Sequence, residues 1–168
     1  RICRLYSWAT VRTARSIASR AAFSSRRGRP GAVTARQLGP DFTPFDALGR
    51  EASEALAKRF YDHMDEHEPG LVAVHRRGGD GNVAPVVRER FTSFLVGWLG
   101  GPDEYVQAHG HPRLRMRHGH VAIDEAQRDA WLRCMNAALD HPDVTDEVRG
   151  YLSRRFAEVA DFLRNRPG

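Results

Sequence analysis

The chain has 168 residues, 41% of them hydrophobic, enough for one domain with its own core. No apolar run approaches the roughly 18 residues that a membrane span needs, and two cysteines, Cys3 and Cys134, cannot build a disulfide framework. The net charge of +5 would ordinarily point to nucleic acid, but nine of the 26 basic residues and none of the 21 acidic ones fall in residues 1–40. Residues 41–168 are net acidic, so neither nucleic acid nor a membrane is expected as a partner of the domain.

Residues 1–40 are rich in Arg, Ser and Ala and free of acids. They read as a disordered extension. A targeting segment or an over-extended start would have the same composition. The domain is placed at 41–168 and the protein in the cytoplasm, with organellar targeting by residues 1–40 as the alternative.

From Asp41 onward the periodicity is helical. Leu56, Phe60 and Met64 form one stripe of a helix over roughly 49–66. The glycines and prolines of HEPGLVAVHRRGGDGNVAP interrupt regular structure, with LVAV able to form a short helical turn. Phe91, Phe94, Leu95 and Trp98 follow at i, i+3, i+4 and i+7 and predict a helix over roughly 85–99. Gly100-Gly101-Pro102 ends it and opens a short helix with proline in its first turn. Residues 109–122 contain Gly110, Pro112 and Gly119 and read as loop with a brief helical piece. Asp124 and Gln127 resemble a capping box. Trp131, Cys134, Met135 and Ala138 make the next apolar stripe. Thr145 caps the last helix, whose buried face is Val148, Leu152, Phe156 and Val159. Nothing alternates with period two for long, so the domain is expected to be all-α.

Eight histidines are present, and His109, His111, His118 and His120 lie within twelve positions. Two HxH pairs raise zinc, but a closed zinc site wants four convergent N or S ligands, and Cys134 is the only thiol near in sequence. One imidazole suffices if the metal is haem iron, because the porphyrin supplies four nitrogens. The chain has material for an apolar slot: Phe60, Phe91, Phe94, Trp98, Met116, Val121 and Trp131. Arg90, Arg115 and Arg117 could pair with anionic propionates at its mouth. Periodicity leaves these alternatives open, since aromatic stripes are more often plain core.

The segments TPFDALG (43–49), KRFYDHMD (58–65), FLVGWLGGP (94–102), HGHPRLRMRH (109–118) and QRDAWLRCM (127–135) resemble, in order and spacing, the truncated haemoglobins of group II. The resemblance runs from about 43 to 166. It implies a two-over-two helical sandwich binding haem b. His118 would be the proximal iron ligand, its Nδ1 proton held by a backbone carbonyl. Tyr61 and Trp131 would face the distal side as donors to dioxygen. His75 would be a third distal donor, Val87 would occupy the gate position, and Phe91 would pack over the haem. Two departures from the family pattern stand out. The glycine-rich RRGGDGNVAPVV (76–87) should loosen the start of the distal helix. Gly49-Arg50 replaces a double glycine and puts the first interhelical turn in doubt.

The implied function is reversible binding of dioxygen, nitric oxide, carbon monoxide or peroxide, for carriage, storage or sensing. The alternative is an enzyme that oxidises nitric oxide or reduces peroxide. No flavin or nicotinamide fingerprint is visible, so such an enzyme needs a separate reductase. A homodimer is compatible with the sequence. A zinc-dependent helical protein using His109–His120 is the third reading.

Overall fold

The computed structural model describes residues 37–167, so nearly all of the segment read as an extension lies outside the described residues. The described residues form helices and no strands, with isolated bridges at Gly39–Phe42 and Arg77–Val83. None of these helices is long and apolar enough to cross a membrane.

Helix α1 runs Pro44–His67, starting earlier than its apolar stripe predicts. The reason is a capping box. The Asp46 N–H donates to Thr43 Oγ1 at 3.1 Å, and the Thr43 N–H donates to Asp46 Oδ2 at 2.9 Å, while Pro44 supplies a preset φ. Gly49 then kinks the helix with φ 76° and ψ 175°, a conformation that suits glycine. Ser53, fully buried, donates its hydroxyl to the Gly49 carbonyl at 2.7 Å. One glycine therefore suffices for this turn. Arg50 stays helical and reaches Glu54 at 3.0 Å and Glu104 at 2.7 Å. Beyond the kink, Leu56, Phe60 and Met64 are buried as their spacing predicts.

A short α2 follows at Pro69–Val74. The glycine-rich stretch after it does not loosen the chain. The Gly78 N–H donates to the Asn82 carbonyl at 2.8 Å, and the Ala84 N–H to the Arg76 carbonyl at 2.8 Å. The Val83 N–H donates to Asp65 Oδ1 at 2.9 Å. Arg88, in the first turn of α3 (Pro85–Trp98), pairs with both Asp62 and Asp65. These bonds pin the start of α3 to α1, correcting the looseness that glycine content implied.

Helix α4 spans Glu104–His109. Its N-cap is Asp103, so Pro102 precedes the helix and does not sit in its first turn. The brief α5 is Leu114–His118. Helix α6 is Glu125–Leu139, where Asp124 accepts from the Gln127 N–H at 2.9 Å, one half of the expected capping box. Helix α7 is Asp146–Leu163, capped by Thr145. On α7, Val148, Leu152 and Phe156 are buried, but Val159 is only half-buried and Ala160 takes the inner place. Helix α1 packs against α3 and α6, and α6 against α7, which gives two stacked helix pairs. The core between them is one cluster running from Leu56 to Phe156.

Candidate functional site

Where α1, α3, α5, α6 and α7 meet, the packing is incomplete. Two adjoining cavities of about 130 and 270 Å³ share His75, His118, Trp131, Val159 and Leu163 in their walls. The smaller is aromatic. Phe60, Tyr61, Phe91, Phe94, Trp98 and Phe156 line it together with Leu114. The larger extends to the surface, past Val121, Ile123, Arg76, Arg117 and His120.

The aromatic wall is a connected set. Phe60 touches Tyr61, Phe91 and Trp131 at centroid distances of 4.9, 5.0 and 5.4 Å. Trp98 stacks on Phe156 at 4.8 Å. Edge-on and tilted contacts of this kind hold rings in place. Phe91, Phe94, Trp98 and Trp131 nevertheless remain half-exposed, because the cavities open between them.

His118 ends α5 with its Nδ1 2.8 Å from the Leu114 carbonyl. A carbonyl only accepts, so Nδ1 carries a proton, and in the neutral ring Nε2 keeps its lone pair. In the wall of the same cavity, Tyr61 is 3% exposed. Burial pushes its phenol well above the ordinary range, so it stays a donor. His75 donates from Nδ1 to the Leu71 carbonyl at 2.7 Å and meets Tyr61 edge-on at 5.9 Å. Burial holds the His75 imidazole below its ordinary range, against the pull of that carbonyl. The Tyr61 hydroxyl and the Trp131 indole N–H have no protein acceptor among the described residues. Neither is sealed from open space, so both are unspent donors beside the cavity.

The structure thus brings together Phe60, Tyr61, His75, Phe91, Phe94, Trp98, Arg117, His118, Val121 and Trp131. It does not bring in Arg90, Met116 or Val87. Met116 is 71% exposed: Leu114 and His118 share the inner face of α5, which turns the residue between them outward. Arg90 is exposed, just off the Phe91–Phe94 face of α3. Val87 packs on the edge of the core and lines neither cavity. Arg115 lies over the Phe162 ring at 5.1 Å and faces neither cavity.

Sequence reasoning did not assign Arg76, Phe156, Val159 or Leu163 to the site, although Phe156 and Val159 stand in the buried stripe expected of the last helix. The i, i+4 spacing of Val159 and Leu163 continues the stripe of α7. Arg76 has no such signal, because it sits in a loop. Arg76 and Arg117 have no carboxylate partner among the described residues, whereas Arg128 beside them is paired with Asp129 at 2.9 Å and Asp161 at 3.3 Å. His109, His111 and His120 are exposed. No group of three or more His, Cys, Asp or Glu side chains converges among the described residues. Cys134 is buried in α6, where burial pushes its thiol up to about 11. The histidine cluster therefore does not assemble the zinc site that its spacing raised.

Comparison with known proteins gives a consistent set of relatives. A family profile described as bacterial-like globin matches residues 43–165. The group 2 truncated hemoglobin YjbI of Bacillus subtilis is 34% identical over 129 residues, covering 76% of this chain and 93% of that protein. A cold-adapted truncated hemoglobin from the Antarctic marine bacterium Pseudoalteromonas haloplanktis superposes with a TM-score of 0.67 at 39% identity, covering 74% of this chain and 98% of the other. The truncated oxygen-avid haemoglobin of Bacillus subtilis gives 0.65 at 33% identity, covering 73% and 99%.

Proposed function

This chain belongs to the bacterial-like globins, as a group II truncated haemoglobin of two-over-two fold, and on that premise we propose that it holds and stabilises diatomic ligands between Tyr61 and Trp131, opposite a proximal His118. Haem b is its cofactor, and when bound it supplies an iron centre that takes up gaseous ligands. Residues 41–168 are the globin domain in this reading, and residues 1–40 an extension to it.

The residues present fit the cofactor. Two joined cavities lie between helices, apolar along most of their walls. An imidazole with a free Nε2 stands on one wall. Two guanidinium groups without carboxylate partners, Arg76 and Arg117, flank the open end, where paired N–H donors match a propionate.

The observation that carries the proposal is the pair of unspent donors, the Tyr61 hydroxyl and the Trp131 indole N–H, on the smaller cavity. A ligand that gains negative charge on binding is stabilised by donors fixed in advance in a dry site. The Phe60, Phe91 and Phe94 rings exclude water and hold the two donors in register. His75, kept neutral by burial, stands behind Tyr61 and fixes the edge of its ring. Its Nδ1 is spent on Leu71, which leaves only Nε2 for the cavity.

Strong donation slows release, which favours redox use of the held ligand over bulk carriage. Nitric oxide oxidation or peroxide reduction is the second reading. Both need a separate reductase. The test is an absorption spectrum of the purified protein in oxidised, reduced and oxygenated forms. A Soret band that shifts at each step supports the proposal. No Soret band after haem addition would sink it. Single-turnover mixing of the oxygenated form with nitric oxide then separates holder from oxidase.

A further inference from the structure

Two histidines of α1 take no part in the cavities. His63 is half-buried and His67 exposed, one helical turn apart, and their ring centroids are 4.4 Å from one another at an interplanar angle of 54°. We propose that His63 and His67 form a surface binding site for a divalent transition-metal ion, with Cu²⁺ the ion it holds most tightly.

Side chains at i and i+4 share one face of a helix, so side-chain rotation alone can aim both imidazoles at one point. A metal bound about 2 Å from each ring nitrogen, with the two bonds near a right angle, requires centroids separated by a little over 4 Å. The observed 4.4 Å separation meets that requirement. A nitrogen pair binds Cu²⁺ more tightly than the other divalent first-row ions, and tetragonal copper accepts two such ligands at a right angle.

The surroundings favour a cation. His67 lies in the last turn of α1, where the carbonyl end of the helix carries partial negative charge. The Glu66 carboxylate is 3.6 Å from His67 Nε2. Glu68 adds charge nearby, but both its oxygens are taken by Arg133 at 2.6 and 3.0 Å, so it acts at a distance. The site is thus two nitrogens with its remaining positions open to water. His141, also exposed, pairs with Asp143 at 2.8 Å.

The experiment is a calorimetric titration of the ferric, haem-loaded full chain with copper(II) chloride, followed by electron paramagnetic resonance of the copper signal. One strong equivalent with coupling to two nitrogens is expected. His63→Ala and His67→Ala should each lower the affinity about tenfold or more, while His109→Ala and His141→Ala leave it unchanged. Helical circular dichroism and the Soret band report that the variants still fold, and His63→Gln serves if His63→Ala does not. Copper uptake that survives both α1 substitutions, or a signal without two-nitrogen coupling, overturns the proposal. The titration reads copper and not haem, so its failure leaves the globin reading in place.

Discussion

The Nδ1–H of His118 donates to the carbonyl of Leu114, one turn earlier on α5, at 2.8 Å. This bond fixes the tautomer and the ring orientation together. It also separates His118 from its neighbours: His111 is exposed and its Nδ1 accepts from the Arg113 N–H at 3.2 Å, and His120 is exposed at the outer edge of the larger cavity. His118→Ala should abolish stable haem binding, whereas His111→Ala and His120→Ala should keep it. Soret absorbance after haem reconstitution and desalting checks all three. Equal loss in His120→Ala would move the ligand assignment.

The donors across the cavity should set release rates. Removing one hydrogen bond of about 1–1.5 kcal/mol corresponds to roughly a tenfold change. Trp131→Phe and Tyr61→Phe should each speed oxygen dissociation from the reduced protein by about that factor. Stopped-flow replacement of oxygen by carbon monoxide measures it. An unchanged rate in Trp131→Phe takes the indole out of the distal network.

Asn165 is a latch on the segment that follows His118. Its side chain accepts from the Ile123 N–H at 3.0 Å and donates to the carbonyls of Val121 at 2.9 Å and His118 at 3.4 Å. Each such bond is worth about 1 kcal/mol, so losing two or more corresponds to roughly tenfold or more. Asn165→Ala should accelerate haem transfer to an acceptor apoprotein at least about tenfold, with the oxygenated spectrum unchanged. A transfer rate like that of the unmodified protein would reduce Asn165 to a surface residue.

Gly100 has φ 103°, and a Cβ there would meet the Thr43 side chain at 2.6 Å. Thr43 is the buried cap of α1, so it has no room to yield. Gly100→Ala should cost about 2 kcal/mol or more, read as a lower urea midpoint at constant slope. A midpoint within error of the unmodified protein would mean that the turn relaxes freely.

Glu68 links the junction of α1 and α2 to α6. Its paired hydrogen bonds from Arg133 hold the carboxyl below its ordinary range. A depressed folded-state pKa adds stability above the unfolded value, near 4.5, and that stability is lost as pH falls through the lower folded value. Arg133→Gln should therefore melt earlier at neutral pH, with the gap from the unmodified protein closing as pH falls below that range. A gap independent of pH would show that the arginine acts through packing alone.

The helical period, the stripes Leu56–Phe60–Met64 and Val148–Leu152–Phe156, and the cap at Thr145 are legible in the order of the amino acids. These depend on neighbours three or four residues apart, and local chemistry specifies them. The run from His109 to His118 and the segment around Trp131 also carried the family likeness, and with it an expected roster of site residues. Tertiary structure decided which members of that roster face the cavity. Met116 and His118 differ by two positions on five residues of helix, and only the docking of α5 against α7 settles which of them points inward. Arg76 reaches the open cavity from a loop whose path no periodicity encodes. Asp65 and Arg88 tie down a glycine-rich stretch that composition alone marks as loose. Each of these outcomes rests on partners many residues away, and such partners are named only when the chain has closed on itself.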